Sequence, residues 1–146
     1  AAMSGLYDTD FYAWANEQAR LLREGKIATA DIAHIVEELE SLGRTEKREL
    51  VSRLTVLLTH LLKWAFQPNL RSRSWRLTIE TQRDDVVDHL ADNPSLKARL
   101  DELLAKAYRR ARREAERETG LAESAFPVSC PWTFAQIVDP DFWPEG

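Results

Sequence analysis

The stretch TEKRELVSRLTVLLTHLLKWAF, residues 45–66, decides the fold of this chain. Its apolar residues cover most of the circumference of a helix, as expected of a helix that other helices surround. They are Leu50, Val51, Leu54, Leu57, Leu58, Leu61, Leu62, Trp64 and Ala65. Pro68 ends the segment, because the residue before a proline avoids helical angles and proline has no amide hydrogen to donate. This Leu-rich segment is therefore predicted to be the central helix of a bundle.

Helical periodicity on both sides of this segment predicts four more main helices. The first runs from a cap at Asp8 or Asp10 to Gly25, and the second opens at Thr29 and ends or kinks at Gly43. The second helix carries one apolar stripe, made of Ile32, Ile35, Val36, Leu39 and Leu42. The fourth is expected over 74–91, and the fifth from Ser95 to Gly120.

The final segment, residues 121–146, is rich in proline and aromatic residues, and one short helix fits from Pro131 to Val138. No alternating strand pattern is found along the chain. The predicted class is all-α: five main helices around the Leu-rich third helix, plus a short C-terminal helix in a tail that packs on the bundle.

Length and composition predict one domain over residues 1–146, with residues 1–6 disordered or vector-derived. No apolar run approaches the roughly 18 residues that span a bilayer, and the start lacks a signal-peptide pattern, so a cytoplasmic location is expected. With Cys130 as the only cysteine, an internal disulfide and a Cys-rich zinc site are both excluded. A position at a predicted helix start would lower the pKa of Cys130, although a half-buried residue with no chemical role is the favoured interpretation.

The clearest candidate for a ligand site is a basic and aromatic surface around the start of the fourth helix. Guanidinium groups near free backbone amides suit phosphate or carboxylate, and tryptophans could stack on a base. The ligand-binding candidates are Arg71, Arg73, Trp75, Arg76, Gln82, Arg83, Lys63 and Trp64. A structural loop held by arginine pairs is the competing interpretation.

Gln82 and Arg83 interrupt the apolar seam of the fourth helix, and Gln18 interrupts that of the first. Three interpretations follow. Arg83 extends past the core to solvent, pairs with a buried carboxylate such as Glu37, Glu38 or Glu40, or lines a polar pocket with Gln82. Whether Gln18, His60, Gln82 and Arg83 share one cleft is open at this level.

No catalytic motif is present, and His60 is the best placed general base. It would need a carboxylate to orient it, with Glu37 or Glu40 as candidates. Metal binding by His34 and Glu37, or by Asp85 and His89, is not favoured because the paired Glu-x-x-His repeats of di-iron bundles are missing. No metal and no cofactor are predicted.

Six segments together resemble a bacterial family of small helical proteins known as domain of unknown function family twenty-nine. They are YDTDFYAWANEQARLLR, EELESLGRTEKREL, HLLKWAFQP, RSRSWRLTIETQR, AYRRAR and FPVSCPWTFAQIVDPDFWP. The resemblance covers nearly the whole chain and implies an all-helical fold without an established activity. It supplies no catalytic residues, and its motif positions here would be Glu37, Glu40, His60, Lys63, Trp64, Gln67, Arg73, Trp75, Gln82, Arg83 and Phe142 to Pro144.

Three functions are weighed on these residues. The leading hypothesis is a binding module that recognises a protein or an anionic small ligand through the Arg/Trp surface. The second is a hydrolase or nuclease that uses His60, and the third is nucleic-acid binding, which the net charge of -4 does not favour. No membrane partner is expected, and a homodimer through the tail aromatics is an open alternative.

Overall fold

The computed structural model describes residues 5–145, and every regular element in that range is helical. The α-helices are α1 (Leu6–Thr9), α2 (Phe11–Arg23), α3 (Ile32–Phe66), α4 (Arg73–Asp92), α5 (Leu100–Thr119) and α6 (Phe134–Val138). Short 3-10 turns lie at Ile27–Thr29, Pro68–Leu70, Pro94–Arg99 and Glu123–Ala125. The predicted all-α class is confirmed.

The second and third predicted helices are one helix, α3, of 35 residues. Gly43 was expected to end or kink the second helix, but α3 continues through Gly43, so the expected helix end was wrong. A glycine inside a helix costs about 1 kcal/mol relative to alanine, which is too little to interrupt a long helix that is anchored on both sides. The four helices of more than seven residues are therefore α2, α3, α4 and α5.

The chain divides into two compact units, Ala1–Thr45 and Glu46–Gly146. In the first unit, α1, α2 and the start of α3 meet through Trp14, Gln18 and Leu21, which are buried. The Tyr7 ring stacks on His34 at 3.9 Å, and its hydroxyl donates a hydrogen bond to Glu38. Residues 1–6 were expected to be disordered or vector-derived. Residues 1–4 lie outside the described residues, Gly5 precedes α1, and Leu6 is its first residue.

In the second unit, residues 46–66 of α3 supply the core. Six leucines of this segment are fully buried: Leu50, Leu54, Leu57, Leu58, Leu61 and Leu62. Ile79 and Val86 of α4 and Ala107 and Ala111 of α5 pack into the same cluster. The tail adds Phe126 and Ile137, so it is part of the core of this unit.

Local sequence signals set the helix ends. The side chain of Ser72 accepts a hydrogen bond from the Trp75 amide and caps α4, so the helix starts one residue before the predicted Ser74. Gly120 ends α5 in the left-handed region at φ 77, which an L residue rarely adopts. Within the described residues, no helix combines the length and apolarity that crossing a membrane requires.

Candidate interaction surface

Arg71 and Arg83, two members of the predicted Arg/Trp surface, bind the tail. Arg83 is 2% exposed, and its Nε and Nη2 donate to the carbonyl oxygens of Ile137 at 2.8 Å and Phe142 at 2.6 Å. Arg71 donates from Nε to the Trp64 carbonyl at 2.8 Å and from Nη2 to the Pro144 carbonyl at 3.4 Å. Both guanidinium groups therefore act on backbone carbonyls, three of which belong to the tail.

Of the three interpretations of Arg83, the buried ion pair with a carboxylate is wrong. No ion pair to Arg83 is found within residues 5–145, and Nη1 is buried without a hydrogen-bond partner. Burial lowers the pKa of Arg83, while the charges of Asp139 and Glu80 act in the opposite direction. The guanidinium lies 5.2 Å from the Trp143 ring, so its interactions are with the tail.

Trp64, Lys63 and Trp75 form a second group of contacts in the same unit. The Trp64 and Trp143 rings lie 4.7 Å apart. Lys63 is buried, with its ammonium 4.7 Å from the centre of the Trp75 ring and 3.5 Å from a carboxylate oxygen of Glu118. All three side chains therefore have contacts within the chain, and a binding role for them stays a prediction.

Arg73, Arg76 and Gln82 complete the predicted set. Arg73 is exposed at the first position of α4, and Arg76 forms a surface ion pair with Glu80 at 3.0 Å. The side-chain oxygen of Gln82 is buried without a partner. Arg71, Arg73 and Arg76 are exposed, with Arg71 bound to backbone carbonyls and Arg76 paired with Glu80. A binding role for them stays a prediction.

An open cavity of about 520 Å³ lies beside Arg83. Its lining includes three carboxylates, Glu80, Asp84 and Asp88, so it is predominantly acidic. Neither His60 nor Gln82 lines it. Gln18 lies in the first unit, where its side-chain oxygen accepts from the Asp31 amide at 2.7 Å. An anion would meet like charges in this cavity.

His60 is satisfied by its own helix, because its Nδ1 lies 2.8 Å from the Val56 carbonyl. Burial is the largest effect on the His60 imidazole and lowers its pKa. Among residues 5–145, no hydrogen bond or ion pair joins His60 to a carboxylate. Glu37 and Glu40, its predicted partners, belong to the first unit.

Glu46, Glu49 and His89 form the one group within the described chain whose side-chain ligand atoms lie close enough to hold a metal ion. The two carboxylates face different ring nitrogens, with Glu46 3.4 Å from Nε2 and Glu49 3.8 Å from Nδ1. Nε2 also lies 2.9 Å from the Glu46 carbonyl oxygen. His89 is thus bracketed by two glutamates, which ties α4 to α3.

Cys130 does not have the low pKa that a helix start would give it. Burial raises the pKa of the thiol, and its Sγ donates to the Trp132 carbonyl at 3.4 Å. The helix α6 begins at Phe134, four residues later, so its amides do not face the sulfur. The raised pKa disfavours the thiolate, which is the nucleophilic form of cysteine.

A row of exposed aliphatic side chains lies in the first unit, on the early turns of α3. We call it the α3 stripe, defined by Ile32, Val36, Leu39 and Leu42. Leu39 is 63% exposed and Leu42 is 61% exposed. On the same helix, the leucines of residues 50–62 have no exposed surface. A helix normally buries such a stripe, so the α3 stripe is a surface without a partner in its own unit.

The packing of α1 and α2 explains why the α3 stripe is left uncovered. These helices contact Asp31, His34 and Glu38, through Trp14, Tyr7 and Gln18. Ile32 and Leu39 each follow one of these contacting residues, which rotates them by about 100° on the helix. The stripe therefore lies beside the face that α1 and α2 cover.

The first unit holds a large share of the exposed apolar side chains. Eight of the thirteen large ones found exposed in the described chain belong to it. Besides the α3 stripe they are Phe11, Tyr12, Leu22 and Ile27. Single exposed apolar residues are ordinary, whereas a contiguous group is typical of an interaction site.

Sequence periodicity identified the α3 stripe but not its exposure. The pattern shows which residues share a helix face, and whether another helix covers that face depends on tertiary packing. In α2 only Trp14, Gln18 and Leu21 are buried, so α2 covers only part of residues 32–42 of α3. Burial is a property of the folded unit, so no signal in the sequence reveals this exposure.

No curated protein and no solved structure matches the chain. A family model described as domain of unknown function DUF29 matches residues 6–143, which is nearly the entire chain. The predicted resemblance is thereby confirmed. The chain belongs to the DUF29 family, an all-helical member whose exposed apolar surface lies on the early turns of α3.

Proposed function

We propose that this protein is an interaction module that binds a helical segment of another protein through the α3 stripe. The observation that carries the proposal is the exposure of four aliphatic residues in one row on a helix. The row spans three turns, or about 15 Å along the axis. That length suits a partner helix with apolar anchors at every third or fourth residue.

A further helix would complete the packing of this unit. The helices α1, α2 and α3 bury only the faces that they turn toward each other, and another helix would cover an adjacent face of α3. About half of each side chain in the α3 stripe is still open to solvent. Covering one of them fully is worth about 1 kcal/mol, so four provide a useful part of a micromolar affinity.

The Arg/Trp surface is a weaker candidate for protein or anion binding. Arg71 and Arg83 are occupied by tail carbonyls, and the cavity beside Arg83 is acidic. Arg73 and Arg76 are exposed cations at the start of α4, and Arg76 is already paired with Glu80. They are the natural comparison site in a binding experiment.

Site-specific photocrosslinking in the native host tests the proposal. A photoreactive phenylalanine analogue would replace Leu39 in the α3 stripe, Arg73 in the Arg/Trp surface, or the exposed Val128 as a control. The crosslinked protein would be identified by mass spectrometry, purified, and titrated against the wild-type chain. We expect a discrete product from position 39 alone, with saturable binding of the purified partner.

Two outcomes contradict the proposal. A product from position 73 alone would return the binding site to the Arg/Trp surface. The same products from positions 39 and 128 would mean that exposure, and not a specific surface, determines the crosslinks.

A further inference from the structure

We infer that His89, Glu49 and Glu46 form a binding site for a divalent transition-metal ion such as Zn²⁺, between α3 and α4. The site lies wholly within the second unit, so it is independent of the α3 stripe. One carboxylate oxygen of each glutamate and one ring nitrogen of His89 all lie within 4.8 Å of one another. Both glutamate side chains are about two-fifths exposed, so small rotations can bring their oxygens onto a shared ion.

The His89 imidazole has the arrangement of a metal ligand. Its side chain is only 8% exposed, and its Nε2 lies 2.9 Å from the Glu46 carbonyl oxygen. A carbonyl oxygen only accepts hydrogen bonds, so Nε2 carries the hydrogen and Nδ1 of the neutral ring holds the lone pair. Within residues 5–145, Nδ1 makes no hydrogen bond. Histidines that bind metals typically donate the other ring N–H to a carbonyl or carboxylate in this way.

The gap between Nδ1 of His89 and Glu49 fits a metal ion better than a hydrogen bond. Nδ1 lies 3.8 Å from Oε2 of Glu49, whereas an N–H···O hydrogen bond spans about 2.7–3.2 Å. Two ligands of a tetrahedral zinc ion lie about 3.4 Å apart, because each bond is about 2.1 Å long. Oε1 of Glu49 accepts from Arg53 at 2.9 Å, which leaves Oε2 for the ion.

The charge around this imidazole favours a cation. His89 borders an open cavity of about 140 Å³ that is lined by four carboxylates and one guanidinium group. Arg53 supplies the guanidinium and is paired with Glu49 and Asp85. The other two carboxylates, Asp88 and Asp92, form no ion pair within the described chain. The cavity therefore attracts a positive ion and repels an anion.

The ligand set selects the class of metal. Magnesium and calcium prefer sites made of oxygen atoms alone, whereas an imidazole suits zinc and the neighbouring transition metals. The spacing of Asp85 and His89 did not favour a metal, because the two glutamates belong to α3 and lie far from His89 in the sequence. The fold brings them together.

A metal titration of the full chain tests the site. The chain would be treated with EDTA, freed of the chelator, and titrated calorimetrically with zinc chloride and separately with magnesium chloride. The variants are Glu49→Gln, which keeps the shape of the side chain and removes its charge, and His89→Gln. Glu80→Gln is the matched control, because Glu80 is also paired with an arginine four residues away and is similarly exposed. It lies nine residues from His89 on α4, or about 13 Å along the axis.

We expect one zinc ion per chain with a micromolar or lower dissociation constant, and magnesium binding at least tenfold weaker. Glu49→Gln and His89→Gln should each weaken zinc binding at least tenfold, and Glu80→Gln should leave it unchanged. Nitrogen-15 NMR of the imidazoles should show zinc on Nδ1 of His89. Zinc should also raise the melting temperature of the wild type, because it binds the folded chain.

Three results would overturn the site. Zinc binding in the millimolar range would be adventitious. Zinc binding that neither variant weakens, with NMR changes at His34 or His60, would place the ion elsewhere. Equal affinity for zinc and magnesium that persists in His89→Gln would mean that the acidic cavity alone attracts cations. Circular dichroism would check that each variant is folded, and if His89→Gln is not, the NMR result and Glu49→Gln decide.

Discussion

The Nε atom of Arg83 on α4 lies 2.8 Å from the carbonyl oxygen of Ile137 on α6, and both residues are buried. This hydrogen bond joins a charged side chain to a tail in which residues 121–145 form only one 3-10 turn and the short helix α6. Together with the bond to the Phe142 carbonyl, it gives Arg83 a structural role.

Replacing Arg83 by methionine should therefore destabilise the protein. The change removes two charged hydrogen bonds and leaves two carbonyls without donors, which costs about 2–4 kcal/mol. Urea unfolding would measure the loss, with Arg73→Met as the control because Arg73 is exposed on the same helix. Equal stability of both variants would show that the tail does not depend on Arg83.

Gly43→Ala should stabilise the protein. Gly43 lies inside α3, and no atom lies within 4 Å of a Cβ placed there, so alanine gains helix propensity without a clash. The expected gain is about 0.5–1 kcal/mol.

Gly120→Ala provides the opposite case. Its φ of 77 is strained for any residue with a Cβ, so we expect a loss of about 1 kcal/mol. Thermal or urea unfolding would measure both the gain in Gly43→Ala and the loss in Gly120→Ala. A loss of stability in the Gly43 variant would mean that α3 is interrupted at Gly43.

Tyr108→Phe should cost about 1–2 kcal/mol of stability. The buried hydroxyl donates to the Pro127 carbonyl at 2.6 Å, and phenylalanine would leave that carbonyl unpaired. Burial also raises the pKa of Tyr108 to about 12, so an ultraviolet titration should show this tyrosine ionising late. Tyr12→Phe is the control, since Tyr12 is 80% exposed, and an equal cost in both variants would contradict the account.

The His34 and Asp31 pair should make stability depend on pH. The Nδ1 atom of His34 lies 2.7 Å from the Asp31 carboxylate, and this hydrogen bond raises the pKa of His34 above its ordinary 6.5. The same bond lowers the pKa of Asp31 below its ordinary 3.8.

The sign of the effect follows from these shifts. The histidine contribution is complete below pH 6.5 and is lost as the pH rises through the raised pKa, while the aspartate contribution is complete above 3.8 and is lost on acidification. The destabilisation caused by Asp31→Asn should thus be larger at pH 5 than at pH 8.

Melting temperatures at the two pH values, with NMR titration of His34, provide the measurement. We expect the pKa of His34 to fall in the Asp31→Asn variant. A pKa that does not move would show that the carboxylate does not stabilise the imidazolium.

The sequence predicted most of the fold and less of the site. Three local signals are strong and agree with the structure: the leucines of residues 50–62, Pro68 after α3, and the Gly120 cap of α5. The helix end predicted at Gly43 was wrong, because the low helix propensity of one glycine is outweighed by the stability of the rest of the helix. Arg83 was recognised as anomalous, but its partners are carbonyls more than fifty residues away, and backbone acceptors leave no mark in a sequence.

The affinity of the crosslinked partner, once purified, tests the central claim most directly. Its dissociation constant would be compared between the Leu39→Ser, Leu42→Ser double variant and Val128→Ser. We predict at least tenfold weaker binding to the double variant, or about 1.4 kcal/mol, and wild-type binding to the control. An unchanged dissociation constant in the folded double variant would contradict the claim that the α3 stripe is the binding surface.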